Sequence, residues 1–401
     1  MFFAIKGDNF DANTFAAKAL ELGALFVIID DASYAIDERT ILVENSLESL
    51  QELAKFHRAY LKLPIIALTG SNGKTTTKEL INVVISKKYK TKATLGNLNN
   101  HIGVPLTLLS FTKETEIGIV EMGANHKKEI EFLCEIAQPD YGYITNFGKA
   151  HLEGFGGVQG VIEGKSEMYQ YLAKNNKVAF VNLEDPIQIE KSTSIKSFTF
   201  GVNNATADVN IKNIKANPFV VIDYDNFSVE SHLIGLYNAN NINAAVAIGH
   251  YFKVDEKDIK VAIENYIPEN NRSQLLRIGS NQIILDAYNA NPSSMAVAIT
   301  NFLQLENQNK IMILGDMFEL GNESHQEHKL IVDSLVNQDK SMCYLIGKSF
   351  YDNKIVKDNI HFFETFDAFV AYLKTIHFNE NTILVKGSRG MALERTLEFI
   401  E

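Results

Sequence analysis

A glycine turn between an apolar strand and a helix constrains this chain more than any other feature. Ala67-Leu68-Thr69-Gly70-Ser71-Asn72-Gly73-Lys74-Thr75-Thr76-Thr77 follows an apolar run, Leu63 to Leu68, and opens a helical pattern over about residues 76–86. Strand, glycine turn and helix in that order present backbone N–H groups and a helix N-terminus to an anion. Lys74 can reach the outer phosphates of a nucleotide as a point charge, and the Thr75 hydroxyl can ligate magnesium. Gly70, Ser71, Asn72, Gly73, Lys74, Thr75 and Thr76 are therefore candidate nucleotide contacts. The usual loop spacing puts a glycine where Leu68 stands, so the pattern is the shorter G-x-x-G-K-T. The alternative is a turn that only joins strand to helix; the flanking elements favour phosphate binding.

The 401 residues suffice for two or three domains, each with its own core. A net charge of −11 argues against nucleic acid as the main partner, because phosphate-backbone affinity needs a basic surface. Cys134 and Cys343 are isolated from each other and suit a reducing compartment rather than a disulfide framework. Lys6 and Asp8 end the apolar N-terminus too early for a signal peptide, and no apolar run reaches membrane-span length. The expected location is cytoplasmic.

Along the chain, residues 1–62 read as a small α/β domain that begins inside its first strand, Phe2–Ile5, as though trimmed. Its other expected elements are a helix Asn13–Leu22, strands Leu25–Ile29 and Ile41–Val43, and a helix Ser49–Tyr60. Residues 63–270 alternate strands (Ile65–Leu68, Ile117–Glu121, Tyr141–Thr145, Val178–Asn182) with helices, the mark of a parallel sheet. Between Lys196 and His232 short alternating strands such as Phe219–Tyr224 read as an antiparallel extension; helices return at Asn238–Tyr251 and Asp255–Tyr266. The turn-rich Pro268-Glu269-Asn270-Asn271-Arg272-Ser273 reads as a linker. Residues 271–401 then form a second doubly wound domain, with strands from Gln282–Asp286 to Thr382–Val385.

Outside the glycine turn, Glu121 ends an apolar strand, where an acid beside a phosphate loop helps hold magnesium. His151, in a loop past another strand, and Lys165, at a helix start, would alone be read as a polar loop residue and a solvated charge. Lys386 and Arg389 follow the last strand, where open α/β sheets place ligands, and Asn289 faces the same cleft; ordinary surface charge is the alternative. Asn99, Asn100 and Asn146 are candidate substrate contacts, with turn formation the competing role for the first two. His325 and His328 read as two solvated histidines.

Together these stretches resemble the Mur ligase family of peptidoglycan synthesis over nearly the whole chain. The matching segments are Thr69-Gly70-Ser71-Asn72-Gly73-Lys74-Thr75, Gly96-Asn97-Leu98-Asn99-Asn100-His101-Ile102-Gly103-Val104-Pro105, Glu121-Met122-Gly123-Ala124 and residues 145–156. Asp286-Ala287-Tyr288-Asn289-Ala290-Asn291-Pro292, Leu314-Gly315-Asp316-Met317-Phe318-Glu319-Leu320-Gly321 and Val385-Lys386-Gly387-Ser388-Arg389-Gly390 match the branch that adds D-alanyl-D-alanine to UDP-N-acetylmuramoyl-tripeptide. The resemblance implies three α/β domains: an N-terminal nucleotide-sugar domain, a central phosphate-loop ATPase domain and a C-terminal Rossmann-like domain. It implies ATP, two Mg2+ ions held by Thr75, Glu121, His151 and Lys165, a CO2-derived carbamate on Lys165, and a monomer. Asn238 and Asn241 fall on an adenine-binding N-x-x-N, with Tyr237 where the family often has histidine. Arg272 falls on an arginine that reaches the ATP phosphates on domain closure, and Asp286 on a position near the ribose. Lys74, His151, Lys165 and Arg272 are the implied catalytic set. A folylpolyglutamate synthase-like ligase and a non-catalytic nucleotide-binding regulator are the competing readings.

Overall fold

The computed structural model describes residues 1–268, 271–307 and 309–400. The described residues build three main sheets in sequence, beside a two-stranded antiparallel ribbon of Lys6–Gly7 and Phe10–Asp11. The first is a parallel sheet of Phe2–Phe3, Val27–Ile29 and Thr40–Leu42, packed on Ala12, Ala16 and Leu20. The helix expected over residues 13–22 splits into a 3-10 turn, Ala12–Phe15, and a short α-helix, Ala16–Glu21. The helix Ser46–Leu61 starts where the Asn45 side chain accepts the backbone N–H groups of Leu47 and Glu48. Its inner face carries Ala54 into the central core, and Arg58 donates to the carbonyls of Ala137 and Gln138 and to Asp140 at 2.8 Å.

The central sheet has nine strands. Its heart is parallel: Val178–Asn182, Tyr141–Ile144, Ile65–Thr69, Ile117–Glu121 and Thr91–Ala93, side by side in that order. Ile65–Thr69 is buried on both faces, so it reads as an unbroken apolar run rather than an alternating one. Ile66 and Leu68 pack beneath the helices Lys74–Ile85 and Tyr237–Tyr251, while Ile65 and Ala67 meet the helices on the other face.

The extension beyond Val178–Asn182 departs from the expected antiparallel pattern. Lys196–Val202 pairs parallel to it, and Val209–Ala216 pairs parallel to Lys196–Val202; only the next two strands, Phe219–Tyr224 and Ser228–Ile234, run antiparallel. The short link suffices because the chain only steps back from the level of Val202 to that of Phe200, turning at Asn203 (φ 48°).

The third sheet runs Gln274–Ile278, Asn281–Asp286, Thr382–Lys386, Lys310–Gly315, Ser341–Ile346 and Ile360–Phe363, parallel except for the first pair. That first strand was not expected; it turns into the second through Gly279 (φ 56°) and Ser280. Among the described residues no helix is long and apolar enough to cross a membrane. Cys134 and Cys343 lie in the cores, where burial pushes both thiols up.

Asp140 ties the helix Ser46–Leu61 to the central sheet, accepting from Arg58 at 2.8 Å, from Lys177 at 2.7 Å and from the Ile65 N–H at 3.1 Å. Asp140→Ala would strand a largely buried guanidinium and is expected to cost about 3 kcal/mol, read as a lower urea midpoint with an unchanged slope.

Candidate active site

The glycine turn is shaped by two positions where only glycine fits. Gly70 has φ 140°, and a Cβ there would lie 2.0 Å from Thr145 Oγ1. Gly73 has φ 78°, and its Cβ would lie 2.5 Å from Asn241 Oδ1. The turn is pinned to the neighbouring strand end: Ser71 N–H donates to the Asn146 carbonyl at 3.0 Å, Asn72 N–H to Asn146 Oδ1 at 3.1 Å, and Thr145 Oγ1 to the Asn72 carbonyl at 2.6 Å. The helix starts at Lys74, two residues earlier than its periodicity suggests. Lys74 Nζ folds over the loop and donates to the Gly70 carbonyl at 2.7 Å. Desolvation, opposed by Glu121 and assisted by Arg272, pulls this amine below the ordinary lysine range.

Thr75 Oγ1 donates to Glu121 Oε2 at 2.9 Å, and Asn99 Nδ2 to Glu121 Oε1 at 2.8 Å. A buried carboxylate beside a hydroxyl is an oxygen donor set suited to a hard cation. Among the described residues no three His, Cys, Asp or Glu side chains gather, so a magnesium ion here would take further ligands from water and phosphate. Asn100 Oδ1 accepts the N–H groups of Ile102 and Gly103 just ahead of the helix Gly103–Leu109. His151, at φ 53°, bonds Glu319 through Nδ1. That bond holds the Glu319 carboxyl below its usual value.

At the other end, Asn241 accepts from Thr77 Oγ1 at 3.0 Å and donates to Asn238 Oδ1 at 2.8 Å. Asp286 accepts from Lys386 Nζ at 2.6 Å and from Ser273 N–H at 3.2 Å. Lys386 also donates to the Asn289 carbonyl at 3.2 Å, and Asn289 Oδ1 accepts from Ala290 N–H at 2.9 Å. These groups open on one cavity of about 700 Å³ between the central and C-terminal domains. Ser71, Asn72, Gly73, Lys74, Thr75, Thr76, Asn99, Asn100, Glu121, Asn146, His151, Asn238, Asn241, Arg272, Asp286, Asn289 and Lys386 all line it.

Three predicted residues do not. Gly70 shapes the loop from behind, and Arg389 is exposed at the rim. Lys165 is buried beneath the cavity floor, donating to the Ala124 carbonyl at 3.0 Å with its amine 5.0 Å from the Phe155 ring centre. Burial first, and the charge of Lys74 second, push the Lys165 amine well below the ordinary lysine value. Among the residues that sequence reasoning left without a role, Glu319, Tyr288 and Asn291 bridge the cleft or line it, and Asn291 Nδ2 donates to Asn72 Oδ1 at 2.7 Å. Each sat inside a motif already singled out, so the motif was the only available signal.

The expectation of two solvated histidines fails at His328. His325 is exposed, but His328 is fully buried: Nδ1–H donates to the Ser324 carbonyl at 2.7 Å and Nε2 accepts Met317 N–H at 2.9 Å. Helical spacing reveals a shared face but not which face is covered; here the loop residues Asp316 and Met317 and the Phe350 ring lie against His328. Burial holds its pKa down, so below about pH 6.5 the unfolded chain gains a proton that the folded chain resists. Stability should therefore fall as pH drops from 7 to 5, and His328→Gln should flatten that slope while lowering stability at pH 7, as read by denaturant midpoints across the range.

Residues 68–249 match the Mur ligase middle domain, and residues 271–389 match the Mur ligase, glutamate ligase domain. The UDP-N-acetylmuramoyl-tripeptide–D-alanyl-D-alanine ligase of Bacillus subtilis (strain 168) is 34% identical, over 99% of this chain and 89% of that protein. The crystal structure of MurF from Acinetobacter baumannii superposes with a TM-score of 0.87 at 31% identity, covering 98% of this chain and 88% of the other. MurF from Thermotoga maritima, solved in complex with ADP, gives a TM-score of 0.86 at 27% identity over 99% and 92% of the two chains. Similarity of this extent, along the whole chain and in the fold alike, makes the protein a member of the Mur ligase family.

Proposed function

We propose that the protein is an ATP-dependent ligase that joins D-alanyl-D-alanine to UDP-N-acetylmuramoyl-tripeptide, a cytoplasmic step of peptidoglycan precursor synthesis. The observation that carries the reading is a single cavity lined by the phosphate loop, by the Thr75–Glu121 pair and by the C-terminal Asp286–Asn291 segment. Relatives that bear this activity's name span nearly the full chain, and one solved relative holds ADP.

The tripeptide carboxylate attacks the γ-phosphorus of ATP; the new O–P bond gives an acyl phosphate and ADP leaves. The free amine of D-alanyl-D-alanine then attacks the acyl carbon. The C–N bond forms, the C–O bond to phosphate breaks, and inorganic phosphate and a proton are released. The first step brings two anions together, so positive charge that no fixed carboxylate cancels is what it needs. Lys74 and Arg272 supply that charge from opposite walls. Asn238, Asn241 and Asp286 take the nucleoside, Asn99, Asn100 and Asn146 the tripeptide side, and residues 1–62 the uridine end. Asn289, Lys386 and Arg389 take the dipeptide.

Burial lowers the Lys165 amine well below the ordinary lysine value and so favours its neutral form, the one that attacks CO2: an N–C bond forms, a proton leaves, and the lysine becomes an anionic oxygen ligand. Thr75, Glu121, His151 and this carbamate would hold two magnesium ions, which would neutralise phosphate charge. The Nδ1 bond to Glu319 leaves His151 Nε2 for that purpose.

Phosphate release from ATP, with UDP-N-acetylmuramoyl-tripeptide and D-alanyl-D-alanine added singly and together, tests the reaction. Release with both and with neither alone is expected; ATP binding without release would overturn the ligase reading. Lys165→Ala should lose at least about 10²-fold in turnover, with partial rescue by acetate or formate. Unchanged turnover in that variant would remove the carbamate. Arg272→Ala should lower turnover far more than equilibrium ATP affinity.

A further inference from the structure

Arg272 enters the C-terminal domain between two non-glycine residues in the left-handed region, Asn271 at φ 56° and Ser273 at φ 50°. Such conformations cost of order 1 kcal/mol each and persist where neighbours hold them. Ser273 is held by Asp286 and by the Tyr237 hydroxyl, 2.5 Å from its own. Asn271 is held by Tyr288, whose N–H donates to its carbonyl at 3.2 Å. The Tyr288 ring then grips Arg272 itself: the guanidinium carbon lies 3.6 Å from the ring centre. Among the described residues, Arg272 Nε is buried with no hydrogen-bond partner. The Arg389 guanidinium approaches the same ring at 4.9 Å.

A carboxylate in the ring's place would occupy the guanidinium fork and cancel its charge. An aromatic face fixes the plane of the group and leaves both the charge and the edge donors available. We infer that Tyr288 is a positioning residue for the ligase reaction proposed above: its ring holds Arg272 flat, cationic and ready for the terminal phosphate, and couples it to Arg389 at the dipeptide side. One side chain thereby senses anions at both ends of the reaction.

The test compares Tyr288→Leu and Tyr288→Phe in the full chain. Leucine should lower kcat about 10²-fold with equilibrium ATP binding and thermal midpoint nearly unchanged, and phenylalanine, which keeps the face, should restore turnover to within about threefold of wild type. Arg389→Ala should raise KM for D-alanyl-D-alanine, and by a smaller factor in the leucine background. Wild-type turnover in the leucine variant, equal damage from both substitutions, or ATP binding lost in step with kcat would overturn the assignment; independent effects of Arg389 and Tyr288 would remove the coupling. A wild-type chain that releases no phosphate with both substrates counts against the ligase reading instead. The positioning role is then decided by phenylglyoxal labelling of Arg272 mapped by mass spectrometry: slow in wild type and Tyr288→Phe and several-fold faster in Tyr288→Leu if it holds, equal in all three if it does not.

Discussion

Parallel pairing of three buried strands is the constraint on which the site depends. Leu68 stands opposite both Glu121 and Tyr143, and Thr69 opposite Ile144. The phosphate loop, the acid and the Asn146 turn therefore leave the sheet at one level and on one edge. Parallel strands share a carboxyl end, so their connecting loops converge where an antiparallel arrangement would send every second one to the far side. A slip of one residue between Ile65–Thr69 and Ile117–Glu121 would rotate Glu121 to the opposite face and break its bond with Thr75. Burial on both faces makes such a slip costly, because it would also exchange the two apolar sets that pack against different helices.

The C-terminal domain meets the central one through an apolar seam, one buried cluster running through both, and at this edge through polar contacts. Asn291 reaches Asn72, Ser293 Oγ accepts Lys149 N–H at 2.8 Å, Glu327 pairs with Lys149, and Glu319 pairs with His151. Partly exposed contacts of this kind are each worth about 1 kcal/mol or less. Contacts of this kind set the register of two domains while adding little to the strength of their union, which suits the ligase reaction proposed above, with three substrates to admit and three products to release. The loop carrying Glu319 is built more firmly than the contacts it makes. Asp316 accepts Ser349 and Phe350 N–H groups, Met317 N–H is held by His328, and Phe318 N–H by Ser388 Oγ at 2.8 Å.

What the sequence revealed and what it hid divide along the same line. Gly70, Gly73, Lys74 and Thr75 act through a local turn whose geometry is written in adjacent residues, and Glu121 is legible because it ends a continuous apolar run. Contacts between residues far apart are not: no periodicity pairs Glu319 with His151 or Asn291 with Asn72, which lie 168 and 219 residues away. The directions of Lys196–Val202 and Val209–Ala216 were misread because apolar alternation records burial, and burial is the same for parallel and antiparallel neighbours. Gln274–Ile278 escaped because it follows a turn-rich stretch with no apolar run long enough to stand out. His328 was misjudged because a polar side chain says nothing about what covers it.

The treatment of cations separates the reacting region from its surroundings. Away from the phosphate loop, lysines find carboxylates: Lys386 meets Asp286, Lys177 meets Asp140 and Lys149 meets Glu327. Three cations around the loop form no such pair among the described residues. Lys74 donates to carbonyls of its own turn, Lys165 to the Ala124 carbonyl, and Arg272 lies on an aromatic ring. Holding positive charge out of water is unfavourable, and burial lowers both Lys74 and Lys165 accordingly, against the pull of the nearby carboxylates. Fixed carboxylates at those positions would relieve it, at the price of repelling the incoming phosphates. In a chain whose net charge is −11, Lys74 and Arg272, neither held by a carboxylate at bonding distance among the described residues, are the points where this cavity offers positive charge to a polyphosphate.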